Sequence, residues 1–251
     1  MDMLSTTGLL LGSLTANTVA SLSGGGGGLL QLPLLLFLGL PFTVALITHK
    51  VAAVALGLGA TCEHIRNKTT SWRDIIFVIL SGMAGVLIGS NSILYVPDQI
   101  AESVLGALVL ALGFYSITKK TFGQEYTPIN RDFKGLLIGG LCLTVIGIIN
   151  GSLTAGTGLF VTLFLVRWFG FDYKQAVALT LISVGVFWNG LGAVTLYKVG
   201  AEIYWPWVPA LVVGSAIGGY LGARISTRYS TMLIKRAFEM LTIIIGLKLL
   251  I

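Results

Sequence analysis

The sequence predicts an all-α polytopic membrane protein of two inverted repeats. Each repeat is a broken, glycine-tipped helical hairpin followed by three transmembrane helices, eight to ten membrane segments in all. Three observations carry this expectation. The 251 residues are 55% hydrophobic and only 10% charged, and charge-free runs fall at 75–97, 103–118, 135–166, 175–197 and 203–223, all but 103–118 long enough to cross a bilayer. Two hydrophobic blocks are interrupted by glycines at matching positions. The basic residues sort to one side of the spans.

The first repeat, 1–118, opens on a charge-free block from Met3 to His49 that contains Gly24, Gly25, Gly26, Gly27 and Gly28 in succession. Glycine costs a helix about 1 kcal/mol per residue relative to alanine, so five in a row break it. Broken backbone is not tolerated in lipid, where unpaired N–H and C=O groups find no water. The run therefore lines a cavity, packs as a tight loop inside protein, or is a linker outside the bilayer. It divides the block into arms at 4–23 and 29–40. The second arm, about 18 Å long as helix, is too short for a core of about 30 Å. The arms form a hairpin meeting near mid-membrane or two tilted, broken spans. Three ordinary spans follow at 42–61, 75–91 and 99–118. A polar linker at 119–134, with Lys119, Lys120, Arg131 and Lys134, leads to the second repeat, 135–251.

The markers then recur in the same order. Gly26 and Gly28 correspond to Gly156 and Gly158 at an offset of 130; Trp72 corresponds to Trp205, and Gly85 and Gly89 to Gly218 and Gly222, at 133. Gly113 matches Gly246 at the same offset. The GxxxG pairs fit close helix packing. If 62–73 is cytoplasmic, alternating crossings place 119–134, 167–174 and 224–236 there too. Those segments hold 13 of the 16 Lys and Arg residues, which puts both termini outside. The 62–73 loop is then inside and its counterpart 198–205 outside, so the halves are inverted, as in many secondary transporters. Tyr197, Tyr204, Trp205 and Trp207 fall at the outer interface as an aromatic belt.

The candidate site gathers at the tips. Lys50 and His49 lie within the 42–61 span, where a charge costs about 2.5–3.5 kcal/mol. No Asp or Glu lies in the middle of a span, so Lys50 is neutralised by backbone carbonyls, water or a bound anion. Helix N-termini at the two tips offer free N–H groups and a positive dipole end to an anion. The second tip adds Asn150, Ser152, Thr154, Gly156, Thr157 and Gly158; Gln31 and Thr48 belong to the first, and Asn189 either contacts the ligand or satisfies broken backbone.

The composition argues against other classes. The net charge of +6 reflects cytoplasmic loops, not a nucleic-acid surface. Cys62 and Cys142 form no framework, and no metal spacing or cofactor motif is present. A buried carboxylate pair or nucleophile motif, as an intramembrane enzyme requires, is lacking. The partners expected are membrane lipids and a small anion; His49 either responds to protons, which would couple them to transport, or serves as a neutral hydrogen-bond donor, and a homodimer is left open.

On these residues the chain resembles the sulfite exporter TauE/SafE family, also called the toluene-sulfonate uptake permease family, over nearly its whole length. The markers are the glycine tip with Pro33 and Gly39-Leu40-Pro41, Thr48-His49-Lys50 where some members carry Thr-Asn-Lys, and Gly156-Thr157-Gly158 after Asn150-Gly151. Asn189-Gly190 is similar to a Ser-Asn-x-Gly segment, with Trp188 in place of the serine. The resemblance implies an inner-membrane transporter, an exporter in direction, of small sulfur-containing anions such as sulfite or sulfonates. An anion channel with the same site, or a carrier of another small organic anion, is the alternative.

Overall fold

The computed structural model describes residues 3–22, 27–66, 70–118, 126–228, 243 and 246–249. Gly24, Gly25 and Gly26 lie outside the described residues, as does 119–125 of the predicted linker. The described chain is all-helical: α1 (Met3–Leu22), α2 (Gly27–Phe37), α3 (Phe42–Arg66), α4 (Trp72–Ser92), α5 (Asp98–Thr118), α6 (Phe133–Ser152), α7 (Thr157–Phe169), α8 (Tyr173–Thr180), a π-helical stretch (Leu181–Trp188) running on into α9 (Asn189–Lys198), and α10 (Val208–Arg228). Among the described residues, five helical segments are long and apolar enough to cross a membrane, beginning at Phe42, Trp72, Phe133, Tyr173 and Trp205. Their outward faces carry Leu80, Leu87, Ile88, Leu141, Val145, Val194 and Val213, an apolar girdle suited to lipid.

Helix ends follow local chemistry. Ser71 caps α4 through the Arg73 N–H, Asp132 caps α6 through Gly135, and Asp172 caps α8 through Gln175. Gly170, at φ +70, closes α7 in the left-handed conformation that glycine adopts without strain. The span expected at 42–61 continues as helix to Arg66. Its extra turn has no breaker: Thr61-Cys62-Glu63-His64 contains neither Gly nor Pro. Lys50 consequently sits in the first half of α3, not at its centre.

Two helices are too short to cross. α2 has 11 residues and α7 has 13, about 16 and 20 Å at 1.5 Å per residue. Both are lined with buried side chains, and Pro33 within α2 removes one backbone donor. The long helices pack by glycine. A Cβ added to Gly85 or Gly89 would strike the carbonyls of Thr144 or Ile148 on α6. One added to Gly218 or Gly222 would meet those of Leu14 or Thr18 on α1. So α4 lies along α6, and α10 along α1, with backbones in near contact. α3 crosses the π-helical stretch in the same way, because a Cβ on Gly57 would come 2.6 Å from the Gly185 carbonyl carbon.

The loops sort to two ends. At one, Arg131 forms an ion pair of 2.8 Å with Asp74 and lies over the rings of Phe169 and Phe171, and Thr127 N–H donates to the Gly170 carbonyl. At the other, the Asp98 carboxylate accepts from the Phe42 N–H, and Tyr204 N–H donates to Thr48 Oγ1.

Candidate functional site

The short helices α2 and α7 begin beside each other. A Cβ on Gly28 would lie 3.0 Å from the Ala155 Cα, so the first turn of α2 abuts the turn that precedes α7. That turn is tightly wound. Gly156 sits at φ +72, and Thr154, a β-branched residue, at φ +62. A left-handed threonine is strained by about 1–3 kcal/mol and persists where its surroundings hold it. Here Thr154 Oγ1 donates to the Asn150 carbonyl (2.8 Å), Thr154 N–H donates to the Ile149 carbonyl, and Thr157 Oγ1 donates to the Thr154 carbonyl (2.6 Å). Thr157 N–H donates to the Thr154 carbonyl and Phe160 N–H to the Gly156 carbonyl, which among the described residues leaves the N–H groups of Gly158 and Leu159 as the open donors at the start of α7.

Between the tips lies a cavity of about 30 Å³, room for a water or two or a small group. Its polar wall is formed by His49, Asn150, Thr154, Thr157, Thr180 and Asn189. Gly27, Gly28, Gly158 and Gly185 bring backbone close, and Ala53, Leu56, Leu181 and Val184 supply apolar surface. Part of this wall is the π-helical stretch, a winding often found at functional sites. Of the residues expected from sequence, eight line the cavity: Gly27, Gly28, His49, Asn150, Thr154, Thr157, Gly158 and Asn189.

The others are placed elsewhere. Lys50 is fully buried, but its Nζ donates to the Asn150 carbonyl at 2.7 Å, behind the cavity wall. Thr48 Oγ1 accepts from the Tyr204 N–H, away from the tips. Ser152 Oγ turns back to the Ile148 carbonyl, and Gly156 serves as the left-handed N-cap of α7. Gln31 stands behind His49, 2.8 Å from its Nδ1.

That contact defines the histidine. Ser13 Oγ donates its hydrogen to the Leu211 carbonyl and therefore accepts from Gln31 Nε2 at 2.8 Å. Ser215 Oγ, 3.1 Å from the same nitrogen, accepts as well, and Asn17 Nδ2 donates to Ser215 Oγ and to the Ser13 carbonyl. With its NH₂ so committed, Gln31 turns its carbonyl oxygen to His49, whose Nδ1 must carry the hydrogen. Nε2 of the neutral ring is then a bare acceptor. Among the described residues it is buried without a partner, and so is Asn150 Oδ1, whose Nδ2 donates to Thr157 Oγ1 at 2.9 Å. The cavity thus joins the first turns of α2 and α7 to two acceptors that are unfilled among the described residues. The supporting Ser13, Asn17 and Ser215 escaped the sequence reading. Their signal is faint: three small polar residues in apolar helices, on segments far apart in the chain.

Comparison with known proteins finds relatives described as membrane transporters. A probable membrane transporter protein of Haemophilus influenzae is 30% identical over 210 residues, covering 83% of this chain and 81% of its own length. The probable membrane transporter protein YfcA of Escherichia coli is 29% identical, covering 96% of this chain and 90% of its own length. The probable membrane transporter protein YunE of Bacillus subtilis is 26% identical, covering 96% of each. No solved structure matches the chain. The family model described as sulfite exporter TauE/SafE matches residues 9–249, nearly the whole chain, and the protein belongs to that family of membrane transporters.

Proposed function

We propose that the protein is a secondary carrier of small sulfur-containing anions such as sulfite or sulfonates, and that it works by alternating access around the cavity between α2 and α7. The observation that carries this reading is the convergence of two short-helix N-termini on one small, partly open cavity with a polar wall. Such half-helix ends hold anions through N–H groups and the dipole. Lys50 adds a positive charge one bond network behind the wall, through the Asn150 carbonyl. The family description, sulfite exporter, supports the substrate class and the outward direction.

Inverted repeats supply the moving parts in this reading. Their support is the repetition of contacts: Gly85 and Gly89 cross α6 at Thr144 and Ile148, and Gly218 and Gly222 cross α1 at Leu14 and Thr18. The glycines are offset by 133 residues and the carbonyls they meet by 130. The pairs Gln31–His49 and Thr162–Thr180, both hydrogen-bonded and both 18 residues apart, correspond at an offset of 131. The repeats comprise 1–118 and 135–251, in the inner membrane with both termini outside.

Purified protein in proteoliposomes tests the function. Uptake of labelled sulfite that is accelerated by sulfite or methanesulfonate on the trans side is the expected result. Flux of the same anion with no trans acceleration assigns a channel instead, and absence of any anion flux refutes the reading.

A further inference from the structure

The two unfilled acceptors set a condition on what enters. An oxyanion presents lone pairs, and lone pairs facing His49 Nε2 and Asn150 Oδ1 repel. A buried polar atom left unpaired costs about 1–3 kcal/mol, so the occupant brings hydrogen to these atoms as well as charge to the helix ends. We propose that each anion enters together with one proton, which is held at His49 Nε2 while the anion occupies the helix N-termini, and that the two leave together. The inference rests on the anion-carrier reading and specifies its coupling.

The chemistry balances simply. The proton comes from the O–H of an entering oxyacid, such as hydrogen sulfite, or from a hydronium accompanying a sulfonate. That O–H bond breaks and the Nε2–H bond forms, using the ring's lone pair. The imidazolium keeps its Nδ1–H on the Gln31 oxygen and points its new Nε2–H at the anion, a charge-assisted contact. On release the proton returns to the departing anion or to water. A sulfonate and its proton then add no net charge to a buried site that already holds Lys50, and hydrogen sulfite adds one negative charge to it. Asn150 Oδ1 takes its hydrogen from a water that travels with the anion.

The surroundings of the ring hold a proton there only while an anion is present. On α3, the neighbouring Lys50 carries the same charge as an imidazolium and repels it. The other elements around the ring and cavity present uncharged groups: Asn17 of α1, Gln31 of α2, Asn150 of α6, Thr157 of α7, Thr180 of α8, Asn189 of α9 and Ser215 of α10. Among the described residues, no carboxylate lines the cavity to hold the proton once the anion has gone. Proton and anion are therefore retained by each other.

Methanesulfonate, whose charge is fixed near neutral pH, is the probe of choice. Calorimetric titration of the purified protein, in buffers of different ionisation enthalpy, reads the protons taken up. About one proton per bound anion is expected, with affinity falling about tenfold per pH unit as the medium becomes alkaline. His49→Gln should bring the uptake to zero and flatten the pH profile. In ¹⁵N-histidine spectra of the unsubstituted protein, Nε2 should carry a lone pair without ligand and gain a hydrogen on adding methanesulfonate, a readout that stands if the variant does not fold. Binding with no proton uptake, or full uptake retained in His49→Gln, overturns the inference while leaving an anion carrier intact. Failure of both methanesulfonate and sulfite to bind at any pH overturns the carrier reading and this inference together.

Discussion

Lys50 shows how a buried charge is accommodated without a carboxylate. Its ammonium donates to the Asn150 carbonyl, at the end of α6 where helix carbonyls lack internal partners. Replacing it with methionine leaves that carbonyl to Thr154 Oγ1 alone. Lys50→Met should lose about 1–3 kcal/mol of stability, read as a lowered melting temperature in detergent. It should also weaken methanesulfonate binding on the order of tenfold, or about 1.4 kcal/mol. Unchanged affinity would confine Lys50 to the structure of the turn. Thr154 gives a second test at this scale. Thr154→Gly relieves the positive φ but removes the hydroxyl bond to Asn150, so stability should change little while anion affinity falls; a gain in affinity would show that the hydroxyl does not organise the site. The residue scale was also where the sequence was least legible. Thr48 and Ser152 are the same hydroxyl chemistry as Thr154 and Thr157, yet they satisfy other backbone groups. Which way a side chain turns is set by the helix behind it, and composition does not contain that.

At the scale of elements, the short helices and the glycine crossings determine what can move and what cannot. α2 was legible as too short to span because its arm runs only from the glycines to Gly39-Leu40-Pro41. α7 was legible through the matching Gly156-Thr157-Gly158. The π-helical stretch was not, because Leu181–Trp188 reads as an ordinary apolar helix. It lies where α3 crosses it closely at Gly57 and Gly185. Two alanine substitutions separate tight from roomy positions. Gly28→Ala forces a methyl within about 3 Å of the Ala155 backbone and should prise the tips apart, reducing proteoliposome flux to background. Gly190→Ala meets only Val54 Cγ2, at 3.7 Å, and should keep its flux with stability raised by about 0.5–1 kcal/mol. Equal activity of the two variants would mean that contact between the tips is not needed for transport.

For the whole molecule, the grouping of loops bears on orientation. Asp74, Arg131 and Gly170 belong to segments that meet at one end, and these are segments that the basic-residue bias assigns to the cytoplasm. Thr48 and Tyr204 meet at the other. With Cys62 and Cys142 replaced by serine, single cysteines at Tyr126 and Lys174 should react with an impermeant maleimide only from the cytoplasmic side. Those at Lys198 and Trp205 should react only from outside. Labelling of both pairs from one side would refute the inverted arrangement.

Hydropathy and glycine placement were enough to determine an all-helical membrane protein with two short buried helices, because the bilayer imposes length, apolarity and backbone satisfaction on every segment that enters it. The sequence alone also brought eight of the cavity's residues into one candidate set. Only the tertiary structure decided that Lys50 reaches a carbonyl behind the cavity. It also decided that Gln31, held by Ser13 and Ser215, leaves His49 Nε2 bare. Those outcomes depend on hydrogen bonds between residues as much as 202 positions apart, such as Ser13 and Ser215, and such partners are chosen by which helices pack, not by any local pattern.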